Sequence, residues 1–107
     1  MEALRALVLE DEPADAELAL RALLDAGIEC AATVVASRAA FERALAADAF
    51  DFVLADYSLP GYTGLEALEQ VRRRDALLPF VLLSGVLGEE RAVEALRAGA
   101  TDYVLKD

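Results

Sequence analysis

The sequence predicts a single α/β domain built on a doubly wound, five-stranded parallel sheet. Three observations predict it. Apolar runs of strand length alternate with helix-forming stretches in the order βαβαβαβαβ. The runs are apolar without strict alternation, which suits strands covered on both faces. The chain has 107 residues, 57% of them apolar, enough for one core and too few for two domains. One domain over residues 1–107 is therefore expected.

Leu4 to Leu9 is the first strand, interrupted only by Arg5, and ends in Glu10-Asp11-Glu12-Pro13. Pro13 suits a first helical position, and acids near a helix start favour its dipole. Ala16, Leu20, Leu23 and Leu24 form the apolar stripe of the first helix, which stops near Gly27. Ala31 to Ala36 is the second strand, beside the lone cysteine, Cys30, read as a small packing residue. Ser37 is a natural N-cap for a helix over Arg38 to Ala47 carrying Phe41 and Leu45. Phe50 to Ala55 is the third strand, ending at Asp56, and a turn-rich loop follows from Tyr57 to Gly64. Leu65, Leu68 and Val71 mark the third helix, whose Arg72-Arg73-Arg74 run reads as solvated surface. Pro79 to Leu83 is the fourth strand, ending at Ser84-Gly85. The fourth helix spans Glu89 to Arg97, with Glu89 and Glu90 favouring its dipole, Val93 and Leu96 on its buried side, and Gly99 at its end. Tyr103 to Leu105 is the fifth strand, followed by Lys106 and Asp107.

Composition narrows the function classes. Twenty acidic and ten basic side chains give a formal charge of −10. Nucleic acid and anionic membrane surfaces both select for positive charge, so neither is an expected partner. The chain has no histidine and a single cysteine, which removes Ser-His and Cys-His nucleophile pairs, intramolecular disulfides and thiolate clusters. The N-terminus lacks a signal-peptide pattern, and Leu77 to Leu83 falls far short of the ~20 apolar residues a membrane span needs. A cytoplasmic location is expected.

In open parallel α/β sheets, ligands sit beyond the carboxyl ends of the strands. Those ends carry Glu10 and Asp11, Asp56, Ser84 and Lys106. Taken singly, each has a blander role: an acid near a helix start, a turn serine, a surface lysine. As a set they specify a chemistry. Three neighbouring carboxylates repel unless a cation joins them. All-oxygen ligands favour a hard cation, of which Mg²⁺ is the usual intracellular choice. A phosphoryl group is the natural further guest, paired with Lys106, hydrogen-bonded by Ser84 and attacked by Asp56.

Four segments in order resemble the receiver domain of bacterial two-component response regulators. They are Val8-Leu9-Glu10-Asp11-Glu12-Pro13, Asp51 to Gly61, Leu82-Leu83-Ser84-Gly85, and Ala98 to Lys106. The resemblance spans essentially the whole chain. It implies a flavodoxin-like strand order 2-1-3-4-5 and a phosphorylation-dependent signalling switch. It implies Asp56 as phosphoacceptor, Asp11 as direct Mg²⁺ ligand with Glu10 assisting, and the Ser58 carbonyl completing the metal ligands. Lys106 corresponds to the lysine that pairs with the phosphoryl group, Ser84 to the switch hydroxyl and Tyr103 to the switch aromatic. Expected partners are a histidine kinase or phosphotransfer protein, an output domain in a longer parent chain, and a second copy in a homodimer. The resemblance is to receivers of the kind often attached to sensor histidine kinases, with DNA-binding regulators a poorer match.

The sequence departs from the family in three places. Glu10 stands where Asp is commoner, Thr63 where an acid often precedes the glycine, and Asp107 where a proline with a cis bond usually follows the lysine. A fifth helix usually follows the last strand; its absence here suggests a fragment of a longer protein, with sheet surface left uncovered. These features leave one alternative, a non-phosphorylated interaction module of the same fold. A phosphatase is disfavoured because Ser58 stands where its second acid belongs, and a flavin carrier because Glu10-Asp11-Glu12 replaces a phosphate-cradling loop. The expected chemistry is not that of an enzyme with external substrates: it is self-phosphorylation from small donors and self-dephosphorylation.

Overall fold

The computed structural model describes residues 3–85 and 89–106. Its elements run β1 (Leu4–Leu9), α1 (Pro13–Asp25), β2 (Cys30–Val35), α2 (Arg38–Ala47), β3 (Phe52–Asp56), β4 (Ser58–Leu59), β5 (Tyr62–Thr63), α3 (Gly64–Arg74), β6 (Phe80–Ser84), α4 (Glu89–Arg97) and β7 (Asp102–Leu105). Five strands form one parallel sheet in the order β2-β1-β3-β6-β7. With the small β4-β5 pair set aside, this is the expected 2-1-3-4-5 order.

Side chains alternate across the sheet and divide the core in two. On one face Leu7, Leu9, Val53, Ala55, Phe80 and Leu82 pack against Phe41 of α2, Leu68 and Val71 of α3, and Ala95 of α4. On the other, Ala6, Val8 and Leu54 pack against Ala16, Leu20 and Leu23 of α1. Ser37 caps α2 as expected, its Oγ accepting the Ala40 N–H at 3.2 Å. Cys30 packs half-buried at the α1 cluster. Among the described residues, no helix is long and apolar enough to cross a membrane.

Four details correct the sequence expectations. The Tyr57–Gly64 loop contains the antiparallel pair β4-β5, closed by Pro60 and Gly61 between Leu59 and Tyr62. Gly61 takes φ +72°, the conformation a Pro-Gly turn requires at its second central position. Strands of two residues leave no periodic signal. Val93 and Leu96 of α4 are 47% and 50% exposed, whereas Ala95 is fully buried. The small alanine lets the helix lie close to the sheet, which turns the larger side chains outward. Leu24 is likewise exposed, and β2 is an edge strand with mostly exposed side chains, not one covered on both faces. The arginine run is also more than solvated surface. Arg72 Nε donates to the Gly99 carbonyl at 2.9 Å, and an Arg74 Nη donates to the Leu45 carbonyl at 3.1 Å.

Leu18 of α1 and Val104 and Leu105 of β7 are exposed. They border a shallow groove that runs to Lys106. The side chain of Glu89 and the Lys106–Asp107 peptide bond, on both of which the sequence raises expectations, lie outside the described residues.

Candidate functional site

Parallel register aligns the strand ends. Leu9 pairs with Ala55, Asp56 with Leu83, and Ser84 with Leu105. One residue beyond each pairing, the chain emerges at the same edge, carrying Glu10 and Lys106. Backbone hydrogen bonds continue past the strands and fix these exits. The Glu10 N–H donates to the Val35 carbonyl (2.9 Å), Tyr57 N–H to Leu83 (2.8 Å) and Lys106 N–H to Ser84 (2.6 Å).

Five sequence-predicted residues thus meet at one edge. One carboxylate oxygen from each of Glu10, Asp11 and Asp56 lies within 4.8 Å of the others. Lys106 Nζ lies 2.7 Å from Glu10 Oε2 and 3.4 Å from Asp56 Oδ1. Ser84, buried, ends β6 beside this group. Ser58 is exposed at the start of β4, two residues past Asp56. Tyr103 pairs in register with Leu82, so it shares the sheet face of Leu82 and Ser84. Its ring meets the Tyr57 ring edge-on at 6.2 Å, and the Arg91 guanidinium of α4 lies 4.9 Å from the Tyr57 centroid.

Burial grades the carboxylates. Glu10 is only 3% exposed, Asp56 is partly buried and Asp11 is open to solvent. Burial pushes the Glu10 carboxyl above its ordinary pKa; hydrogen bonds from Lys106 and the Glu12 N–H pull it back, and the charge on Asp56 pushes it up again. Burial pulls the Lys106 ammonium down, but its hydrogen bonds to Glu10 and Asp15 and the charge on Asp56 outweigh this, so its pKa lies above the ordinary lysine value. Glu10 also performs the blander task considered for it: its Oε1 accepts the Glu12 N–H at 3.2 Å just before α1.

Two residues at the site escape sequence reasoning. Asp15, in the first turn of α1, places Oδ2 3.0 Å from Lys106 Nζ. Its only sequence signal is an acid at a helix start, which has a sufficient local explanation. Gly64 begins α3 so close to β3 that a Cβ there would lie 2.6 Å from the Asp56 carbonyl oxygen and 2.3 Å from Leu82 Cδ2. The sequence shows Gly64 only as one more loop residue. Thr63, the departure before that glycine, is the N-cap of α3 in a reciprocal capping box with Glu66.

Residues 6–107 match the family model described as the response regulator receiver domain. The chain belongs to the response regulator receiver domain family. This receiver domain is 38% identical over 104 residues to the response regulator protein FleR of Pseudomonas aeruginosa, covering 97% of the chain and 22% of that relative. It is 33% identical over 99 residues to the DNA-binding transcriptional regulator NtrC of Escherichia coli, covering 92% of the chain and 21% of NtrC. The chain therefore spans about a fifth of the length of these relatives. Among solved structures it resembles the receiver domain of the sensor histidine kinase PA1611 from Pseudomonas aeruginosa, described with a magnesium ion coordinated in the active site cleft. The TM-score is 0.80 at 24% identity, over 98% of this chain and 86% of that one. The sequence relatives thus include a DNA-binding regulator, and the likeness to the PA1611 domain is one of fold.

The receiver-domain fold and signalling class expected from the sequence are borne out. Among the described residues, three carboxylates and no softer donor converge in the cleft, with a partly buried ammonium as the only cation in these contacts. That donor set fits a hard divalent ion such as Mg²⁺.

Proposed function

We propose that this domain is a phosphorylation-dependent switch in which Asp56 accepts a phosphoryl group from a histidine kinase or phosphotransfer protein. The observation that carries the reading is the placement of Asp56 within one cleft with Glu10, Asp11 and Lys106. The chain has no histidine, so the donor is a separate protein, domain or small phosphodonor. An Asp56 carboxylate oxygen attacks phosphorus, a P–O bond forms, and the P–N bond to the donor imidazole (or the P–O bond of acetyl phosphate) breaks, its electron pair leaving with the donor. Attack of water on the resulting acyl phosphate releases inorganic phosphate and restores the carboxylate.

Glu10, Asp11 and the Ser58 carbonyl, together with Asp56, would hold Mg²⁺. When bound, the ion neutralises charge on the phosphoryl oxygens. Lys106 pairs with one phosphoryl oxygen as a point charge, and the Ser84 hydroxyl donates to another. Tyr103, on the face shared with Ser84, carries the change toward the surface through a shift between two conformations. The relatives FleR and NtrC are several times longer than the matched segment, which supports an output domain in a longer parent as part of this proposal. The setting is the cytoplasm. A non-phosphorylated module has no need of this set, and here every member is present.

A melting experiment with Mg²⁺ tests the cleft. Mass action predicts ~2.7 kcal/mol of stabilisation at a hundred times the dissociation constant, or roughly 10–20 °C for a domain of this size. Asp11→Asn removes most of the rise. A wild-type melting temperature indifferent to Mg²⁺ contradicts the proposal.

A further inference from the structure

Lys106 is held by more carboxylates than phosphoryl transfer uses. Its Nζ lies 2.7 Å from Glu10 Oε2, 3.0 Å from Asp15 Oδ2 and 3.4 Å from Asp56 Oδ1, and the contact with Asp56 is the longest. An ammonium has three N–H donors; Glu10 and Asp15 each accept a hydrogen bond from it, and Asp56, at 3.4 Å, meets it as an ion pair only. A phosphoryl oxygen on Asp56 draws the ammonium toward Asp56 and so strains its bonds to Glu10 and Asp15. Glu10 is the poorer candidate to release the ammonium: its side chain is 2% exposed, and losing its counter-ion would strand a charge in the core. The Asp15 side chain is 39% exposed, so water replaces the ammonium there at small cost. Asp15 is also placed by a different element from the strand ends: it sits on the first turn of α1 and reaches Lys106 across the groove between α1 and β7.

We propose that Asp15 is a positioning residue that competes with the phosphoryl oxygen for Lys106, holding the ammonium off Asp56 until phosphorylation and opposing its transfer afterwards. This inference rests on the reading of Asp56 as phosphoacceptor. It requires that the influence of Asp15 pass through Lys106 and not through bulk charge.

Calorimetric titration with beryllofluoride at saturating Mg²⁺ tests it, using wild type, Asp15→Asn, Asp15→Glu, Lys106→Met, the Asp15→Asn/Lys106→Met double variant and Asp56→Asn. Melting curves first establish that each variant is folded. Asp15→Asn is expected to bind beryllofluoride roughly two- to fivefold more tightly, the range of a partly exposed ion pair. Asp15→Glu restores affinity toward wild type, and Asp15→Asn has no effect on affinity when Lys106 is Met. Unchanged or weaker binding by Asp15→Asn overturns the proposal, as does equal tightening in the Lys106→Met background, the mark of a bulk charge effect. If wild type binds no beryllofluoride, or Asp56→Asn binds it equally well, the phosphoacceptor reading fails and the role of Asp15 falls with it. Binding that needs Asp56 but ignores Asp15 overturns the role of Asp15 alone.

Discussion

At the scale of single residues, the cleft is organised around one ammonium. Lys106 bridges a buried glutamate and two aspartates, so replacing it leaves their repulsion unrelieved. Lys106→Met is expected to destabilise the metal-free domain by about 1–3 kcal/mol, below the full cost of breaking a buried pair because the lysine is partly exposed. Urea unfolding at neutral pH measures this. The same variant should gain more in melting temperature from Mg²⁺ than wild type does, because no protein cation then balances the carboxylates; an equal gain contradicts the picture. Tyr62 offers a pH test away from the cleft. Its buried phenol donates to Gln70 Oε1, and burial raises its pKa to about 12 from 10. A raised folded pKa means the folded state holds its proton longer than the unfolded state. Stability is then complete below about pH 10 and falls as pH rises toward 12. Tyr62→Phe should flatten this loss in unfolding curves at pH 9 and 11.5. A slope equal to wild type would show that the phenol is not the titrating group.

At the scale of elements, α3 seats the Asp56 loop. The Thr63–Glu66 capping box fixes where the helix starts, and the missing side chain at Gly64 lets that start press against the end of β3. Gly64→Ala must push apart Leu82 and the Asp56 carbonyl, an overpacking worth about 1–3 kcal/mol. It should also slow phosphorylation of Asp56. Thr63→Ala, which removes a cap worth about 0.5–2 kcal/mol, leaves the loop seat in place and should slow it far less. Phosphorylation rates of the two variants, measured where both remain folded, check this; equal slowing would show that helix stability alone governs the loop. The contrast also explains what the sequence reveals. Strand ends are legible because an apolar run stopping at Glu10, Asp56 or Ser84 marks a place in the sheet without any knowledge of neighbours. The closeness of Gly64 to Asp56 is a tertiary fact with no periodic trace. The outward turn of Val93 and Leu96 follows from how near Ala95 brings α4 to the sheet, which hydrophobicity alone does not encode.

At the scale of the molecule, topology converts separate local signals into a site. Five parallel strands in the order β2-β1-β3-β6-β7 bring residues as distant as Glu10 and Lys106 into contact. That convergence is legible in advance because parallel strands place like ends together. The addition of Asp15 is not, because it depends on the angle at which α1 leaves the first strand. The charge of −10 is spread over the surface, and the few acids in the cleft give it chemical meaning. The switch is proposed to take up phosphorus on the carboxylate of Asp56. Intact mass after incubation with acetyl phosphate and Mg²⁺ tests it most directly. The expected result is a gain of one phosphoryl group, lost on standing as the acyl phosphate hydrolyses, and absent without Mg²⁺ or in Asp56→Asn. No gain in wild type, or the same gain in Asp56→Asn, contradicts it.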